Sequence, residues 1–348
     1  MPQTRIKYIY WFAYYNLDAP SVRYRAQFPL AYAETHLDIQ HCLVIPGYQL
    51  SRIFKFVRAY FSVLFFPKPD SIVVIQRVHS NFIYASLLKL LVRFRKSRCI
   101  YDLDDADYLE FKTKSIHDFA KNCAAITGGS EEIVKYMKQF NNKVYHLTSP
   151  IVDLKLVKAQ KNEVFTIGWI GGFGGGHKES LYELVFPVIK ALPFSCNLLI
   201  LGITKDADEV ALRKYFADHS SIQLILPRAI NWKNEQEIQE WIMNIDVGIA
   251  TLQNEPLQLA KSGIKAKQYM NNGVPVLCND LLENNRVVID SHNGFYCNEP
   301  NEFKSRLIQL EEMSEAEYEL ISANARDSIK QFDHDYYFEV LDNLYVSL

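Results

Sequence analysis

The sequence lacks the features that mark membrane-spanning, disulfide-rich and nucleic-acid-binding proteins. No run in its 348 residues approaches the roughly 20 consecutive apolar residues that a membrane-spanning helix needs. Its six cysteines include no CxxC pair, which argues against both a disulfide framework and a cysteine zinc site. Long Lys/Arg runs, zinc knuckles and aromatic RNA-binding motifs are also absent, so a nucleic-acid partner is not expected. We therefore expect a cytoplasmic protein with reduced thiols.

The rest of the composition is that of an ordinary globular protein, but the charge is unevenly distributed. Hydrophobic residues make up 49% of the chain, and the formal net charge is −2. Residues 1–150 carry 20 Lys and Arg against 12 Asp and Glu, whereas residues 151–348 carry 18 against 28. A basic first half suits an anionic partner such as a phospholipid surface or a lipid-linked phosphate.

Short apolar runs rich in β-branched and aromatic residues alternate with helix-length segments. This alternation predicts parallel strands joined by crossover helices, and therefore an α/β fold. In the first half the runs are Lys7–Tyr14, Asp38–Ile45, Ser71–Gln76, Arg98–Leu103, Ala124–Gly128 and Lys143–Leu147. In the second half they are Phe165–Ile170, Cys196–Leu201, Ile222–Leu226, Asp246–Thr251, Val274–Cys278 and Gly294–Cys297. The count predicts two Rossmann-like domains, residues 1–155 and 160–333, with the polar stretch 153–163 as linker.

Five glycines lie within six positions directly after the predicted strand at 165–170. The segment 168–178 has the sequence GWIGGFGGGHK, and a helical pattern follows from Glu179. Glycines in such a turn let backbone N–H groups approach a phosphate at a helix N-terminus, where the helix dipole favours negative charge. The segment is not a Walker A loop and does not fit the dinucleotide fingerprint cleanly. It predicts a phosphate-binding turn, with a flexible connection as the alternative.

A lysine-rich helix is predicted after residue 260. It ends at Gly273 and leads into the buried strand at 274–278. Lys261, Lys265 and Gln268 are spaced i, i+4 and i+7, so they share one helix face if the helix begins that early. Two lysines and an amide on one face can hold a diphosphate and a ribose. The alternative is a solvated lysine face on a surface helix.

The second half of the chain carries a set of motifs that resembles a known family. The set is Asp246–Ala250, Lys261-x-Gly263-x-Lys265-x-x-Gln268-Tyr269-Met270-x-x-Gly273-x-Pro275-Val276, Asn285 and Asn293-Gly294-Phe295. It resembles the donor-binding domain of retaining glycosyltransferases of the GT-B fold, in the family 4 group that includes sucrose and glycogen synthases. In the first half, the segments that resemble bacterial relatives in surface-polysaccharide synthesis are Ser21–Arg25, Gln76-Arg77 and Tyr101–Asp105.

The resemblance implies a GT-B fold, with two Rossmann-like domains facing a cleft and a final helix, about residues 334–348, packing back on the first domain. It implies donor-binding roles for Gly172, Phe173, Gly174, Lys178, Lys261, Lys265, Gln268 and Asn285. Lys265 is the main candidate to stabilise the departing diphosphate, with Lys261 and Lys178 in support. Three positions depart from the family pattern, since Ala260 and Gln268 stand where many relatives have two glutamates eight positions apart, and Phe173 stands where an arginine is common.

Acidic residues follow the predicted strand that ends at Leu103, where the resemblance places the transferred sugar. Relatives often have His-Asp there, whereas this chain has Asp104-Asp105. We predict a catalytic role for both, because a carboxylate at this place can bind sugar hydroxyls, orient the acceptor or offset the charge of an oxocarbenium-like transition state. The alternatives are a metal site at Asp102-x-Asp104, and a solvated loop or helix cap.

Four further residues are candidates for the acceptor side of the cleft, namely Arg23, Arg25, Arg77 and His79. Arg23 and Arg25 follow the first strand, and Ser21 is predicted to cap the helix that carries them. Residues two apart do not share a helix face, so one of the two arginines is expected to be structural. His79 lies at a strand end, and a hydrogen-bonded structural role is its alternative.

Two basic, apolar segments in the first half predict an anionic membrane surface as a further partner. Residues 52–66 have polar side chains at 52, 55, 58 and 62 and a broad apolar face, and residues 89–98 add five basic side chains. A helix packed against a sheet shows the same pattern, so a core role is the alternative.

The resemblance implies transfer of a hexose or related sugar from a nucleotide-sugar donor to a glycan or lipid-linked saccharide acceptor, with retention of anomeric configuration. The expected setting is bacterial cell-surface polysaccharide biosynthesis (O-antigen of lipopolysaccharide, capsule or exopolysaccharide), in the cytoplasm and peripheral on the inner face of the membrane. Neither a cofactor nor a metal is expected beyond the nucleotide-sugar co-substrate. The alternatives are a non-catalytic scaffold that binds glycan or nucleotide-sugar, and a nucleotide-sugar epimerase or hydrolase on the same fold.

Overall fold

The buried apolar runs form two parallel sheets of six strands each. The computed structural model describes residues 4–158, 160–281 and 283–348, and within these ranges all twelve predicted strands are present. Helices cover both faces of such sheets, which is why the strand sequences are continuously apolar rather than alternating. The predicted α/β class is confirmed.

The first sheet brings together the carboxyl ends of three strands that carry polar residues. Its strands are β1 (Tyr8–Phe12), β2 (Gln40–Val44), β3 (Ser71–Gln76), β4 (Cys99–Leu103), β5 (Ala125–Gly128) and β6 (Val144–His146). Their order is β2-β1-β3-β4-β5-β6, and all neighbouring pairs are parallel. Three residues come directly after adjacent strands of this sheet, namely Arg77 after β3, Asp104 after β4 and Gly129 after β5. They therefore lie at the same edge of the sheet.

The second sheet places the glycine-rich segment at its centre. Its strands are β7 (Thr166–Ile170), β8 (Cys196–Leu201), β9 (Ile222–Ile225), β10 (Val247–Ala250), β11 (Val276–Cys278) and β12 (Gly294–Tyr296). Their order is β12-β11-β10-β7-β8-β9. The chain runs outward from β7 to β9 on one side and then from β10 to β12 on the other. The glycines after β7 therefore lie at the point where the strand order reverses, the usual ligand position in open α/β sheets.

Sixteen α-helices connect and cover the strands of the described chain. They are α1 (Pro20–Val22), α2 (Phe28–His36), α3 (Leu50–Phe65), α4 (Phe82–Arg95), α5 (Asp107–Glu110), α6 (Lys114–Asn122), α7 (Glu131–Met137), α8 (Gly175–Ser180), α9 (Phe186–Lys190), α10 (Asp206–Phe216), α11 (Glu235–Ile242), α12 (Pro256–Leu259), α13 (Ile264–Asn271), α14 (Pro300–Glu312), α15 (Glu315–Ile329) and α16 (His334–Ser347). Two π-helical segments, Arg23–Gln27 and Leu181–Val185, join α1 to α2 and α8 to α9. Short 3-10 helices span Lys96–Arg98 and Lys330–Phe332. Within the described residues, no helix combines the length and the apolar content needed to cross a bilayer.

The chain divides into two units, and the first is assembled from three separate segments. It contains the described residues up to Val152, together with Ala260–Ser262 and Phe332–Leu348, whereas the second contains Asp153–Leu259 and Gly263–Gln331. Helix α16 packs against α2 in the first unit, and the Tyr337 hydroxyl donates to the Arg25 carbonyl at 2.9 Å. The predicted return of the final helix to the first half of the chain is therefore confirmed.

Each unit has its own apolar core. In the first, Trp11 and Ile72 of the sheet pack with Leu341 of α16. In the second, Trp169 of β7 packs with Phe186 of α9 and other buried side chains. The sheets are thereby fixed in place, so the residues at their carboxyl edges are held on rigid supports.

Candidate functional site

The glycine-rich turn of the second unit begins as soon as β7 ends. Gly171 has φ +141°, and its carbonyl oxygen lies so close to Gly202 that a Cβ on Gly202 would be 1.7 Å away. Helix α8 begins at Gly175, with Gly174 as N-cap. The sequence prediction that the helix begins at Glu179 is wrong, because Gly175 and Gly176 form part of its first turn. With the π-helical segment and α9, the helix continues to Lys190.

Space is open on one side of this turn. A Cβ built on Gly172, Gly174 or Gly175 would meet nothing within 4 Å. By contrast, a Cβ on Gly176 would meet the Gln258 side chain at 2.8 Å. A ligand can thus reach the backbone of the turn at Gly172 to Gly175, and the N-terminal end of a helix offers an anionic ligand backbone N–H groups and a favourable dipole.

Lys265 places a positive charge beside the turn. It is the second residue of α13, and its Nζ lies 3.2 Å from Nε2 of His177 and 5.6 Å from the centre of the Trp169 ring. Its Cε is 2.9 Å from the position that a Cβ on Gly171 would occupy, so Lys265 crosses the end of β7 close to the backbone of Gly171, whose φ of +141° favours glycine. Gln268 follows three residues later on the same half-buried face of α13.

Lys261 lies outside this arrangement. Gly263 has φ +63° and is the N-cap of α13, so the helix begins at Ile264. The prediction that Lys261, Lys265 and Gln268 share one helix face is therefore wrong. Lys261 belongs to the first unit, where its Nζ donates to Oδ1 of Asp105 at 2.7 Å.

The other predicted donor-binding side chains have partners within the second unit. Lys178 pairs with Asp208 at 2.6 Å, and this hydrogen bond raises the pKa of Lys178. Phe173 is buried in the core, edge-on to the Trp169 ring at 5.8 Å. Asn285 is exposed and donates to Asp280 at 2.6 Å. The geometry of the second unit thus brings together the glycine turn, Lys265 and His177.

Arg77 is the centre of a charged cluster in the first unit. Its guanidinium donates to both carboxylate oxygens of Asp107, at 3.0 and 2.6 Å. One of its nitrogens also lies 2.9 Å from Asp105 and 3.6 Å from Asp104. Arg77 has φ +55°, a conformation that costs of order 1 kcal/mol and that the surrounding ion pairs must maintain.

The two adjacent carboxylates of this cluster have opposite electrostatic environments. Burial raises the pKa of Asp104 to about 7, although Arg77 opposes the shift. Burial also acts against ionisation of Asp105, but Arg77 and Lys261 outweigh it and lower the pKa of Asp105. Near neutral pH, Asp105 is an anion and Asp104 is close to its titration point. Such separation of neighbouring pKa values is typical of functional sites.

Asp102 forms a separate, fully buried ion pair with Arg25. Arg25 is buried and donates through Nε to Oδ2 of Asp102 at 2.8 Å and through Nη2 to Oδ1. Thr127 donates to the same carboxylate at 2.6 Å. Asp102 and Asp104 therefore enter different ion pairs, with Arg25 and Arg77 respectively. Within the described residues, no group of three or more His, Cys, Asp or Glu side chains is arranged to hold a metal ion.

Arg23 and Ser21 have local roles. Arg23 is buried and donates to the carbonyls of Leu17 and Asp18 at 2.9 and 2.8 Å. The prediction that Ser21 caps this helix is wrong, because Pro20 occupies its first position and Ala19 is the N-cap. The Ser21 hydroxyl instead accepts a hydrogen bond from Arg77 at 3.4 Å.

His79 lies in an aromatic environment near Arg77. Its ring stacks on Phe111 with centroids 3.9 Å apart, and its Nε2 forms a hydrogen bond with the Tyr15 hydroxyl at 2.9 Å. Burial, assisted by Arg77, lowers the pKa of His79 to about 4. The imidazole is therefore neutral at physiological pH.

Three residues of these sites were missed by reasoning from the sequence. Asp107 is the bidentate partner of Arg77, and its spacing after Asp104 and Asp105 was the available signal. Gly129 lets the chain pass Asp104, since a Cβ there would be 2.8 Å from the Asp104 Cα. His177 lies inside the glycine-rich segment, next to Lys265.

The paired six-stranded parallel sheets and the returning final helix define the fold class of GT-B glycosyltransferases. The structure of Anabaena Alr3699/HepE in complex with UDP-glucose matches with a TM-score of 0.65 at 13% identity, covering 98% of this chain and 100% of that one. Sucrose-phosphate synthase from Thermosynechococcus elongatus matches with a TM-score of 0.66 at 12% identity, covering 97% and 98%.

A further similar structure is the pneumococcal O-GlcNAc transferase GtfA in complex with UDP and GlcNAc. It matches with a TM-score of 0.59 at 13% identity, covering 84% of this chain and 60% of that one. No family model matches the sequence, and no curated protein does so either. At these identities the similarity is one of fold, and the chemistry must be argued from the residues of this chain.

Proposed function

We propose that the protein is a glycosyltransferase that uses a nucleotide-sugar donor. The observation that carries the proposal is Lys265, whose ammonium lies beside an open glycine turn at the reversal point of the second sheet. Three kinds of group there suit a diphosphate: backbone N–H groups of the turn, the N-terminal end of the helix that begins at α8, and a lysine.

In this proposal the second unit stabilises the leaving group. Breaking the bond between sugar and diphosphate leaves negative charge on the departing phosphate oxygens. Lys265 and the backbone of Gly172 to Gly174 offset this charge as it develops, which lowers the barrier more than it strengthens donor binding. Gln268, on the same face of α13, is proposed to hydrogen-bond ribose hydroxyls through its amide.

In the first unit, Asp104 and Asp105 are proposed to bind sugar hydroxyls. Asp105 is held as an anion by Arg77 and Lys261, so it accepts hydrogen bonds. Asp104 has a pKa of about 7, set by burial against Arg77, so it can donate or accept a proton near neutral pH. Arg77 fixes the positions of both and is proposed as a positioning residue.

The proposal extends to the family 4 group and to retention of anomeric configuration, which the resemblance of the lysine-rich motif implies. Uridine diphosphate sugars are the first donors to test, because the HepE and GtfA structures hold UDP-glucose and UDP. A glycan or lipid-linked saccharide is the proposed acceptor, in bacterial cell-surface polysaccharide biosynthesis in the cytoplasm. Metal-independent transfer is also proposed, because lysine and backbone N–H groups can neutralise the diphosphate.

The test is a thermal-shift titration with UDP, GDP, CMP, dTDP and ADP, each with and without magnesium. A ligand at 100 times its Kd should stabilise the native state by about 2.7 kcal/mol. We expect one nucleotide to raise the melting temperature, with or without magnesium, and Lys265→Ala to abolish the increase. The matched control is Lys214→Ala, which removes an exposed lysine of α10 and should leave the increase unchanged.

Three outcomes would contradict the proposal. If no nucleotide binds, or if Lys265→Ala binds as well as the parent, the protein is better explained as a scaffold. Product analysis with the donor that binds then tests transfer itself. Conversion or hydrolysis of the donor at full rate without any acceptor would instead indicate a nucleotide-sugar epimerase or hydrolase.

A further inference from the structure

Helix α3 exposes most of its apolar residues. Only Ala59, Tyr60 and Val63 of its sixteen residues are buried. Four large apolar side chains are exposed on one face of the helix, because they are spaced by four, seven and four residues: Leu50, Phe54, Phe61 and Phe65. The exposed fractions of Phe54 and Phe65 are 68% and 62%. The alternative of a core role for this segment is therefore wrong for most of its apolar residues.

Helix α4 adds a second exposed apolar face next to the first. Its exposed residues include Phe82 at 82%, Ile83 at 71% and Phe94 at 64%, together with Leu87 and Leu90. The two helices are in direct contact, because the Tyr60 hydroxyl of α3 donates to the Leu87 carbonyl at 2.9 Å. Arg95 of α4 also donates to the carbonyl of Val63 at 3.0 Å. The exposed apolar residues of α3 and α4, which we call the α3/α4 patch, thus lie on neighbouring helices.

Basic side chains border the patch on both helices. Lys55 and Arg58 are exposed on α3, on the side of the apolar stripe away from Tyr60. On the α4 side, a groove of about 420 Å³ is lined by Lys89, Arg93 and Lys96, together with Asp118 of α6. The only acidic residue in the sequence from 39 to 101 is Asp70, against ten Lys and Arg. Lys89 is paired with Asp118 at 2.7 Å, and the remaining basic side chains give the border a net positive charge.

We infer that the α3/α4 patch docks the protein on an anionic phospholipid bilayer. Phenylalanine and leucine on the exposed face suit the boundary between headgroups and acyl chains, and the flanking lysines and arginines suit anionic headgroups. Apolar area and charge complementarity thus indicate the same occupant. The inference does not depend on sugar transfer.

Vesicle co-sedimentation of the full chain tests the inference. We expect binding to phosphatidylcholine vesicles with 30% phosphatidylglycerol, weaker binding in high salt, and little binding to pure phosphatidylcholine. Replacing Phe54, Phe61 and Phe82 by Gln should reduce binding at least tenfold. Lys55→Gln with Arg58→Gln should reduce it roughly 25-fold, about fivefold for each charge. Val210→Gln with Leu320→Gln, and Lys214→Gln with Lys304→Gln, are the matched controls outside the patch and should bind like the parent.

Three results would overturn the inference. The first is no binding to anionic vesicles, and the second is equal loss in the patch and control variants. The third is a concentration-dependent dimer, seen by sedimentation velocity, that the Phe54, Phe61 and Phe82 replacements abolish, since the patch would then bind a second copy. Nucleotide titrations on the same variants keep this test separate from the proposed function, because the patch variants should bind nucleotide like the parent.

Discussion

Replacing Asp104 by asparagine should stabilise the folded protein above neutral pH. The Asp104 side chain is 10% exposed, and its Oδ1 is buried without a hydrogen-bond partner among the described residues. Burial raises its pKa from an ordinary value of 3.8 to about 7, against the attraction of Arg77. Because the folded pKa exceeds the unfolded one, the ionised carboxylate lowers the free energy of unfolding above pH 7. This cost disappears as the pH falls toward 4.

The size of the effect follows from the two pKa values. The difference between 3.8 and about 7 corresponds to at most about 4 kcal/mol, since each pH unit is worth about 1.36 kcal/mol. The attraction of Arg77 for the carboxylate is already contained in that difference. Allowing for hydration and relaxation around the side chain, we expect Asp104→Asn to raise the free energy of unfolding by about 1–3 kcal/mol at pH 8 and by roughly 40% of that amount at pH 5, where the unfolded carboxyl is ionised but the folded one is still protonated.

Urea denaturation followed by tryptophan fluorescence at the two pH values measures this change. Asp105→Asn is the matched control. Burial opposes ionisation of Asp105, but Arg77 and Lys261 lower its pKa, so its carboxylate contributes stability above about pH 4 that is lost as the pH falls further. Asp105→Asn should therefore destabilise the protein at pH 8. If Asp104→Asn also destabilises the protein at pH 8, or changes stability equally at both pH values, the reasoning is refuted.

The remaining predictions concern two glycines and one buried ion pair. Gly172→Ala should change stability by less than about 0.5 kcal/mol, because its Cβ meets nothing within 4 Å, yet weaken nucleotide binding. Gly248→Ala should cost about 1–3 kcal/mol, because its Cβ would be 2.3 Å from the Tyr269 ring; calorimetry that finds equal melting temperatures for the two variants would contradict this. Arg25→Met should cost about 3–5 kcal/mol by leaving the Asp102 carboxylate buried and unpaired. Urea denaturation that shows a loss below about 1 kcal/mol would count against that ion pair.

The fold was predictable because its signals are local. Each strand of a parallel sheet is a short apolar run, and the twelve runs could be found one at a time from their neighbours in sequence. The glycine-rich turn was predictable for the same reason, since its five glycines lie within six positions. Only the first turn of the helix was misplaced, because Gly175 and Gly176 have low helix propensity.

The charged site was less predictable because its contacts are non-local. Arg25 and Asp102 are separated by 77 positions and Lys261 and Asp105 by 156, so no spacing rule connects them. Gly263 has a left-handed backbone conformation and is the N-cap of α13, so Lys261 lies outside the helix. The regular spacing of the lysines in the sequence gives no sign of this helix start. The pKa of Asp104 depends on burial by chain segments such as Gly129, which only the folded structure brings together.

The discontinuous first unit has a consequence for folding during synthesis. Phe338 and Leu341 of α16 belong to the same apolar core as Leu30 and Ala33 of α2, yet the ribosome makes the entire second unit between them. The usual order, in which the N-terminal domain folds first, therefore cannot hold here. The second unit is complete while the first still exposes part of its core to water. A fragment that stops at Val152 should for this reason aggregate, and a nascent chain should depend on chaperones until α16 emerges.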